Sequence, residues 1–296
     1  MNDINEIKLS IIIPCYNYGH LIEKAIASAA TEHPSVEVIV INDGSTDNSL
    51  EVLRELLARY SFTLIDQDNV GLSGTRNNGI ESSNGEFLLF LDADDYLVEN
   101  AVERCLDAIT NNDDQFIIAQ HYSLSGKKKT LSKPVPVSSS NRDNVLHYIS
   151  KKLSIVNGGC LMHRDIFAQK RYNTALKNSE DIPVFIYALA NFKSSVLQQP
   201  IVNIVKHTDS MRHDIAAILE TGTRTVEESF KPGELPTDII SLKKLALAQR
   251  YSSIGRACFK AGRKKEARYY YKKSLAFALI FGLKRGTIKS LLKTYF

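Results

Sequence analysis

Between residues 8 and 96, short β-branched apolar runs alternate with segments of helical period, the pattern of strands joined by crossover helices into a mostly parallel sheet. Residues 9–14 (LSIIIP) predict a buried strand, and residues 20–31 a helix whose inner face carries Leu21, Ile22, Ala25, Ile26 and Ala29. Residues 36–41 predict a second strand, followed by a turn at Asn42, Asp43 and Gly44. Residues 45–48 (STDN) offer side-chain oxygens to cap a helix that runs to about residue 60. A third strand over 62–66, a glycine-rich loop over 71–79 entering a helix, and a wholly apolar strand over 87–91 follow. In an open α/β sheet ligands bind outside the carboxyl ends of the strands, so Asp43 and the acidic run 92–95 are expected to face one crevice.

That acidic run, Asp92-Ala93-Asp94-Asp95, sets three carboxylates within four residues. Such crowding is relieved by a cation or by a shifted pKa. Hard oxygen ligands suit Mg²⁺ or Mn²⁺, which complete their shell with phosphate oxygens and water; a solvated, helix-capping turn is the other reading. Asp43, turned by Gly44, can accept from a nucleobase N–H or serve as a plain turn residue. In the run 71–79 (GLSGTRNNG), Arg76 can pair with phosphate or with the acidic cluster, and the glycines permit close backbone approach. No Gly-Lys-Ser/Thr ending and no G-x-G-x-x-G after the first strand are present, which removes support for P-loop hydrolysis and dinucleotide redox chemistry. Glu180 and Asp181 precede an apolar helical segment, where acids favour the positive end of the helix dipole. His207 and His213 are candidate metal or phosphate contacts as well as ordinary surface histidines.

Hydrophobic residues form 44% and charged residues 24% of the 296-residue chain, the balance of a folded globular protein. Cys15, Cys105, Cys160 and Cys258 show no metal-like spacing, and reduced thiols in a cytoplasmic protein are expected. The start of the chain does not read as a secretory leader, and no run approaches the length of a membrane span. The net charge of +4 conceals a division: residues 237–296 carry 15 Lys and Arg against Asp238 and Glu266, making that segment +13 and the rest −9. A surface for an anionic partner is implied. This segment reads as helical, with Tyr251, Ile254, Gly255, Gly262, Ala267 and Tyr271 at the packing positions of one tetratricopeptide-like helix pair. Its last residues place Ile288, Leu291, Leu292, Tyr295 and Phe296 on one face beside Lys284, Arg285, Lys289 and Lys293, suited either to packing on the core or to an anionic bilayer. Residues 127–142, rich in Lys, Ser and Pro, predict a loop and a candidate acceptor lid. The expected division is 1–232 and 237–296.

The order and spacing of these motifs resemble the family 2 glycosyltransferases, inverting enzymes of GT-A fold, from about residue 9 to residue 214. Residues 10–17 (SIIIPCYN) are similar to the family's opening strand and nucleotide contact, which implies donor-binding roles for Pro14, Tyr16 and Asn17. Residues 40–47 resemble its base-binding turn around Asp43, and residues 69–77 its donor loop with Asn69 and Arg76. Residues 92–95 resemble its D-x-D motif, with Asp92 and Ala93 at the donor and Asp94 on the metal. Gly158, Gly159 and Arg164 lie in a segment like the family's acceptor side, and residues 179–181 in one like that holding its catalytic base. The resemblance thus implies Asp181 as the base, Glu180 beside the acceptor and His207 as a further metal ligand. Val205 and Lys206 stand before that histidine where the family often has Tyr-Arg, so a phosphate contact there is put in question.

The resemblance implies transfer of a sugar, with inversion, from a nucleotide-diphosphate donor to a hydroxyl, UDP being the favoured nucleotide and Mn²⁺ or Mg²⁺ the cofactor. The acceptor is a glycan, a lipid-linked glycan or a protein. The implied setting is surface polysaccharide or glycan synthesis in the cytoplasm, peripheral on the inner face of the membrane if the basic helices bind lipid. No nucleic-acid partner is expected, because Tyr269 to Tyr271 fall in a helical pattern, not on an open stacking platform. Two other functions fit parts of the pattern: a non-catalytic nucleotide-sugar or partner-binding protein, and a nucleotidyltransferase, which would need a phosphate-cradling loop after the first strand that PCYNY does not resemble.

Overall fold

The computed structural model describes residues 6–111, 113–133, 136–206, 214–278 and 290–294. In chain order the elements begin β1 (Leu9–Cys15), α1 (Ile22–Ala29), β2 (Val36–Asp43), α2 (Ser49–Leu56), β3 (Thr63–Gln67), α3 (Gly71–Ser82) and β4 (Phe87–Phe90). There follow β5 (Tyr96–Leu97), α4 (Ala101–Thr110), β6 (Phe116–Ser125), β7 (Lys128–Leu131), α5 (Asn141–Ile149), β8 (Cys160–His163), α6 (Arg164–Gln169), α7 (Asp181–Asn191) and β9 (Ser194–Val205). Helices close the chain: α8 (Ile215–Thr221), α9 (Arg224–Ser229), α10 (Thr237–Ile240), α11 (Lys243–Lys260) and α12 (Lys264–Ala278).

The chain divides into two compact units. The first, residues 1–139, 154–174 and 192–206, contains every described strand in one sheet of order β3-β2-β1-β4-β8-β6-β9-β5, with β7 on β6. Its β3-β2-β1-β4 half is parallel, as expected of βαβ units, while β8 enters antiparallel to both β4 and β6. β1 is buried along its whole length, which fits a run of β-branched residues covered on both faces. Pro14 stands past Ile12, the last β1 residue in register with β4, where a missing N–H is tolerated. The amphipathic α1 buries Ile22, Ala25, Ile26 and Ala29, four of the five residues expected on its inner face.

The second unit takes in residues 140–153, 175–191 and 207–296, and its described residues form helices and the turns between them. Within it α11 packs on α12, α8, α9 and α5, with Ile254, Cys258, Ala267 and Tyr271 buried around Ile218. Gly255 lets α12 approach, since a Cβ there would lie 3.0 Å from the Tyr271 ring. Among the described residues no helix is long and apolar enough to cross a membrane.

Three sequence expectations require correction. Residues 127–142 are not one loop: Lys128–Leu131 form β7 by pairing with Tyr122–Ser125, and α5 begins at Asn141. β-Hairpin pairing overrides the polar composition there, because an edge strand can carry exposed lysines. The run 71–79 is helical from its first residue, with its glycines inside α3. The second strand extends through Asn42 and Asp43, so the turn begins at Gly44, whose φ of +63° and a Cβ that would lie 2.7 Å from the Asn69 nitrogen both require glycine.

Candidate active site

β1, β2 and β3 end level with one another, and β4 ends opposite Ile12, so that the residues after it run on toward the same edge. Cys15 is in register with Asn42, Asn42 with Asp66 and Asp43 with Gln67, while Leu91 N–H donates to the Ile12 carbonyl at 2.9 Å. The apolar run of β4 therefore delivers the acidic turn to the carboxyl edge of the sheet. Asp95 N–H closes that turn on the Asp92 carbonyl at 3.0 Å, and one ligand oxygen from each of Asp92, Asp94 and Asp95 lies within 4.8 Å of the others. Among the described residues this is the one acidic, His or Cys group arranged to hold a cation. Asp95 is buried and its Oδ1 accepts from Val205 N–H at 2.7 Å, tying the turn to β9; Ala93 is buried beneath it.

Arg76, 1% exposed, donates from Nη2 to Asp92 Oδ1 at 2.7 Å, while the Asp92 side chain stays 39% exposed. Of the two partners expected for Arg76, the structure shows the acidic cluster. Its guanidinium carbon lies 5.3 Å from the centre of the Tyr172 ring, within cation–π range. Tyr172 is fixed in turn by Asn77, which donates from Nδ2 to the Tyr172 carbonyl at 2.8 Å and accepts from Tyr172 N–H at 3.0 Å. The Tyr172 hydroxyl donates to Asn157 Oδ1 at 3.3 Å.

Asp43 is buried at the end of β2. Its Oδ1 accepts from Gln67 Nε2 at 2.8 Å and Val70 N–H at 2.9 Å, and its Oδ2 from Gly71 N–H at 3.0 Å. A carboxylate offers about four acceptor sites, so Asp43 organises the start of α3 and retains capacity for roughly one further donor. Asn69 belongs to the same knot, donating from Nδ2 to the Asp43 carbonyl at 2.8 Å. Asn17, in the left-handed region at φ +59°, accepts at Oδ1 from the N–H groups of Thr46 and Asp47 and so fastens the loop after β1 to the loop after β2. Tyr16 beside it is 45% exposed, whereas Pro14 is buried in β1.

Gly158 and Gly159 lie in a 3-10 turn before β8. A Cβ on Gly158 would meet Val202 at 3.0 Å and the Phe90 carbonyl at 3.7 Å, so this segment packs against the end of β4 within the first unit. Arg164, after β8, donates to the carbonyls of Ile80, Ser83 and Gly85. Glu180 and Asp181 belong to the second unit, Glu180 buried and Asp181 the half-buried first residue of α7. His207 and His213 lie outside the described residues. All four cysteines are free and buried, and burial pushes the thiol of Cys15, between Pro14 and Tyr16, up to about 11, which leaves it an inert packing group.

Gln67 and Tyr172 escaped the sequence reading. Gln67 and Tyr172 sit outside any short motif and act through partners 24 and 95 positions away. Asn77 was inside a quoted motif, but nothing local reveals that it grips Tyr172.

The family model described as Glycosyl transferase family 2 matches residues 10–170, more than half of the chain. The poly(ribitol-phosphate) beta-N-acetylglucosaminyltransferase TarP of Staphylococcus aureus (strain N315) is 27% identical over 197 residues, which are 63% of this chain and 59% of TarP. The first three curated relatives are matched over only 17%, 33% and 39% of their own lengths. Residues 1–349 of S. aureus TarS in complex with UDP-GlcNAc share the fold at a TM-score of 0.59 and 18% identity, covering 91% of this chain and 89% of that one. The mannosyltransferase PcManGT from Pyrobaculum calidifontis, in complex with GDP-Man and Mn²⁺, does so at 0.58 and 14% identity, covering 97% and 84%.

Proposed function

The chain belongs to glycosyl transferase family 2 and has the GT-A fold, and from that premise we propose that it transfers a sugar, with inversion, from a UDP-sugar to a hydroxyl acceptor in glycan or surface-polysaccharide synthesis. The observation that carries this reading is the turn of Asp92, Asp94 and Asp95 after β4, at the same carboxyl edge of the sheet as the knot around Asp43 at the end of β2.

The donor set fits a hard divalent cation: three carboxylates converge, and Arg76 and Val205 N–H orient two of them. Asp94 is assigned to hold Mn²⁺ or Mg²⁺, with Asp92 beside it and His207 as a further ligand. Such an ion, when bound, supplies positive charge to the departing diphosphate. Asp43 accepts from the nucleobase through its remaining capacity, and Tyr16 offers an exposed ring to the same nucleotide. Pro14, Asn17, Asn69, Arg76 and Ala93 shape this donor side by holding its loops. Asp181 takes the proton from the acceptor hydroxyl in a single displacement, with Glu180 and the Gly158–Gly159 turn on the acceptor side. The basic segment 237–296, which contains α10, α11 and α12, meets an anionic lipid surface, which suits a lipid-linked acceptor. UDP-GlcNAc in TarS and Mn²⁺ with GDP-Man in PcManGT support the choice of donor class and ion.

The test is thermal denaturation with UDP, GDP, TDP, CMP and their sugars, each with Mn²⁺ or with EDTA. A Tm rise with UDP-sugars that needs Mn²⁺ is expected, and Asp94→Ala should remove the Mn²⁺-dependent part. A full rise in EDTA, or in Asp94→Ala with Mn²⁺, defeats the metal assignment; no rise with any nucleotide defeats the donor site.

A further inference from the structure

We propose that Arg250, on α11 in the basic C-terminal segment, is the positioning residue for Asp181. This rests on the reading of Asp181 as the base. All the groups concerned lie within the second unit.

Arg250 is 9% exposed, an unusual burial for a guanidinium, and one of its hydrogen bonds reaches the turn before α7 while another reaches the end of α8. Nη1 donates to Ser179 Oγ at 3.1 Å and Nε to the Gly222 carbonyl at 2.7 Å, whereas Nη2 has no hydrogen-bond partner among the described residues. Ser179 is held at φ +59°, and the Ile182 N–H reaches the Ser179 carbonyl at 3.4 Å, so the backbone conformation of Ser179 sets the direction in which α7 and its first side chain begin. A serine in the left-handed region costs conformational energy and persists only where surroundings impose it. Arg250 holds the Ser179 hydroxyl from a helix 71 positions away, and that hydroxyl donates in turn to Asn178 Oδ1 at 2.6 Å. Burial pushes the Arg250 guanidinium down to about 10, and the one charge opposing that fall is Asp181. Cation and carboxylate therefore sense each other across the turn. A base oriented by a third group is the common arrangement for a side chain that must take a proton in one geometry. The family match ends at residue 170, so Arg250 comes from a part of the chain outside it.

The experiment measures kcat and donor KM for nucleotide release, using whichever of UDP-glucose, UDP-galactose, UDP-GlcNAc and GDP-mannose the wild-type chain turns over fastest. The variants are Arg250→Gln, Arg250→Lys, Asp181→Asn and the Arg250→Gln, Asp181→Asn double. Arg250→Gln is expected to lower kcat on the order of 10-fold with donor KM within about twofold of wild type, the scale of a lost orienting contact. Arg250→Lys should recover part of the loss. In the Asp181→Asn background Arg250→Gln should add nothing, because a residue acting through Asp181 has nothing left to orient. If Arg250→Gln does not fold, Ser179→Ala removes the same contact and should show the same loss of kcat at unchanged KM.

Wild-type kcat in folded Arg250→Gln, or in Ser179→Ala where that variant stands in for it, while Asp181→Asn is impaired overturns the proposal and leaves the base assignment standing. So do losses that multiply in the double variant. Wild-type turnover by Asp181→Asn overturns the base assignment and the positioning role with it.

Discussion

At the scale of the residue, Asp43 shows how a binding carboxylate is also a structural one. Its three hydrogen bonds come from Gln67, Val70 and Gly71, 24 to 28 positions away, and they join the end of β2 to the start of α3. In Asp43→Asn one oxygen becomes an NH₂ group. Whichever way the amide is turned, it faces one backbone N–H with a donor, or leaves Gln67 and Val70 without their acceptor. Loss of one buried hydrogen bond of this kind costs about 1–3 kcal/mol. Asp43→Asn should therefore lower stability in urea by that amount and weaken UDP binding measured by calorimetry. Unchanged values for both would mean that the knot around Asp43 holds without its charge. The position of Asp43 at a strand end was legible from the apolar run before it and Gly44 after it. The partners that occupy its oxygens were not, because β3 and α3 reach it only through the sheet.

At the scale of the element, α3 is where local chemistry and tertiary packing disagree most. Three glycines in GLSGTRNNG argue locally for a loop, since each costs about 1 kcal/mol against alanine in a helix interior. Packing explains why the helix forms: a Cβ on Gly79 would stand 2.5 Å from Ile12 Cγ2 and 3.2 Å from Ile41 Cδ1, so only glycine lets α3 lie this close to β1 and β2. That closeness buries Arg76 on the same helix and aims it at Asp92. Gly79→Ala sets two effects against each other. Alanine favours the helix by about 1 kcal/mol, while overpacking costs about 1–3 kcal/mol. Ile12 and Ile41 are fully buried, so overpacking should win. A fall in the urea midpoint is expected, with weaker Mn²⁺ binding as Arg76 shifts; a variant as stable as wild type would mean that α3 moves outward at little cost. β1, β2 and β4 were legible because a buried parallel strand is an unbroken apolar run. β7 was hidden because an exposed edge strand of lysines and threonine has the composition of a loop.

At the scale of the whole molecule, the sequence divides its charge and the structure divides its chain, along different lines. The +13 segment begins at residue 237, but the second unit that contains it also takes in residues 140–153 and 175–191, including Asp181. The charge boundary was legible from composition; the wider unit was not, because α5 and α7 join it through tertiary packing against α9, α10 and α11. Deleting 237–296 would remove Ile254, Cys258, Ala267 and Tyr271 from the buried cluster of that unit, so truncation cannot separate a surface role from folding. Substitution on α12 can. Its buried positions Ala267, Tyr271 and Ser274 leave Lys265, Tyr269, Lys272 and Lys273 exposed at helical spacing, a basic face with an amphipathic ring in its middle. Each lysine near an anionic bilayer contributes about 1 kcal/mol. The triple variant Lys265→Gln, Lys272→Gln, Lys273→Gln should therefore bind phosphatidylglycerol vesicles on the order of 10²-fold more weakly in pelleting assays. Its Tm should match wild type, and raised salt should release the wild-type chain as screening shortens the reach of these charges. Equal pelleting of the two proteins, or a wild-type chain that stays in the supernatant with anionic vesicles at low salt, would remove the lipid surface from the account of the basic segment and leave the donor site untouched.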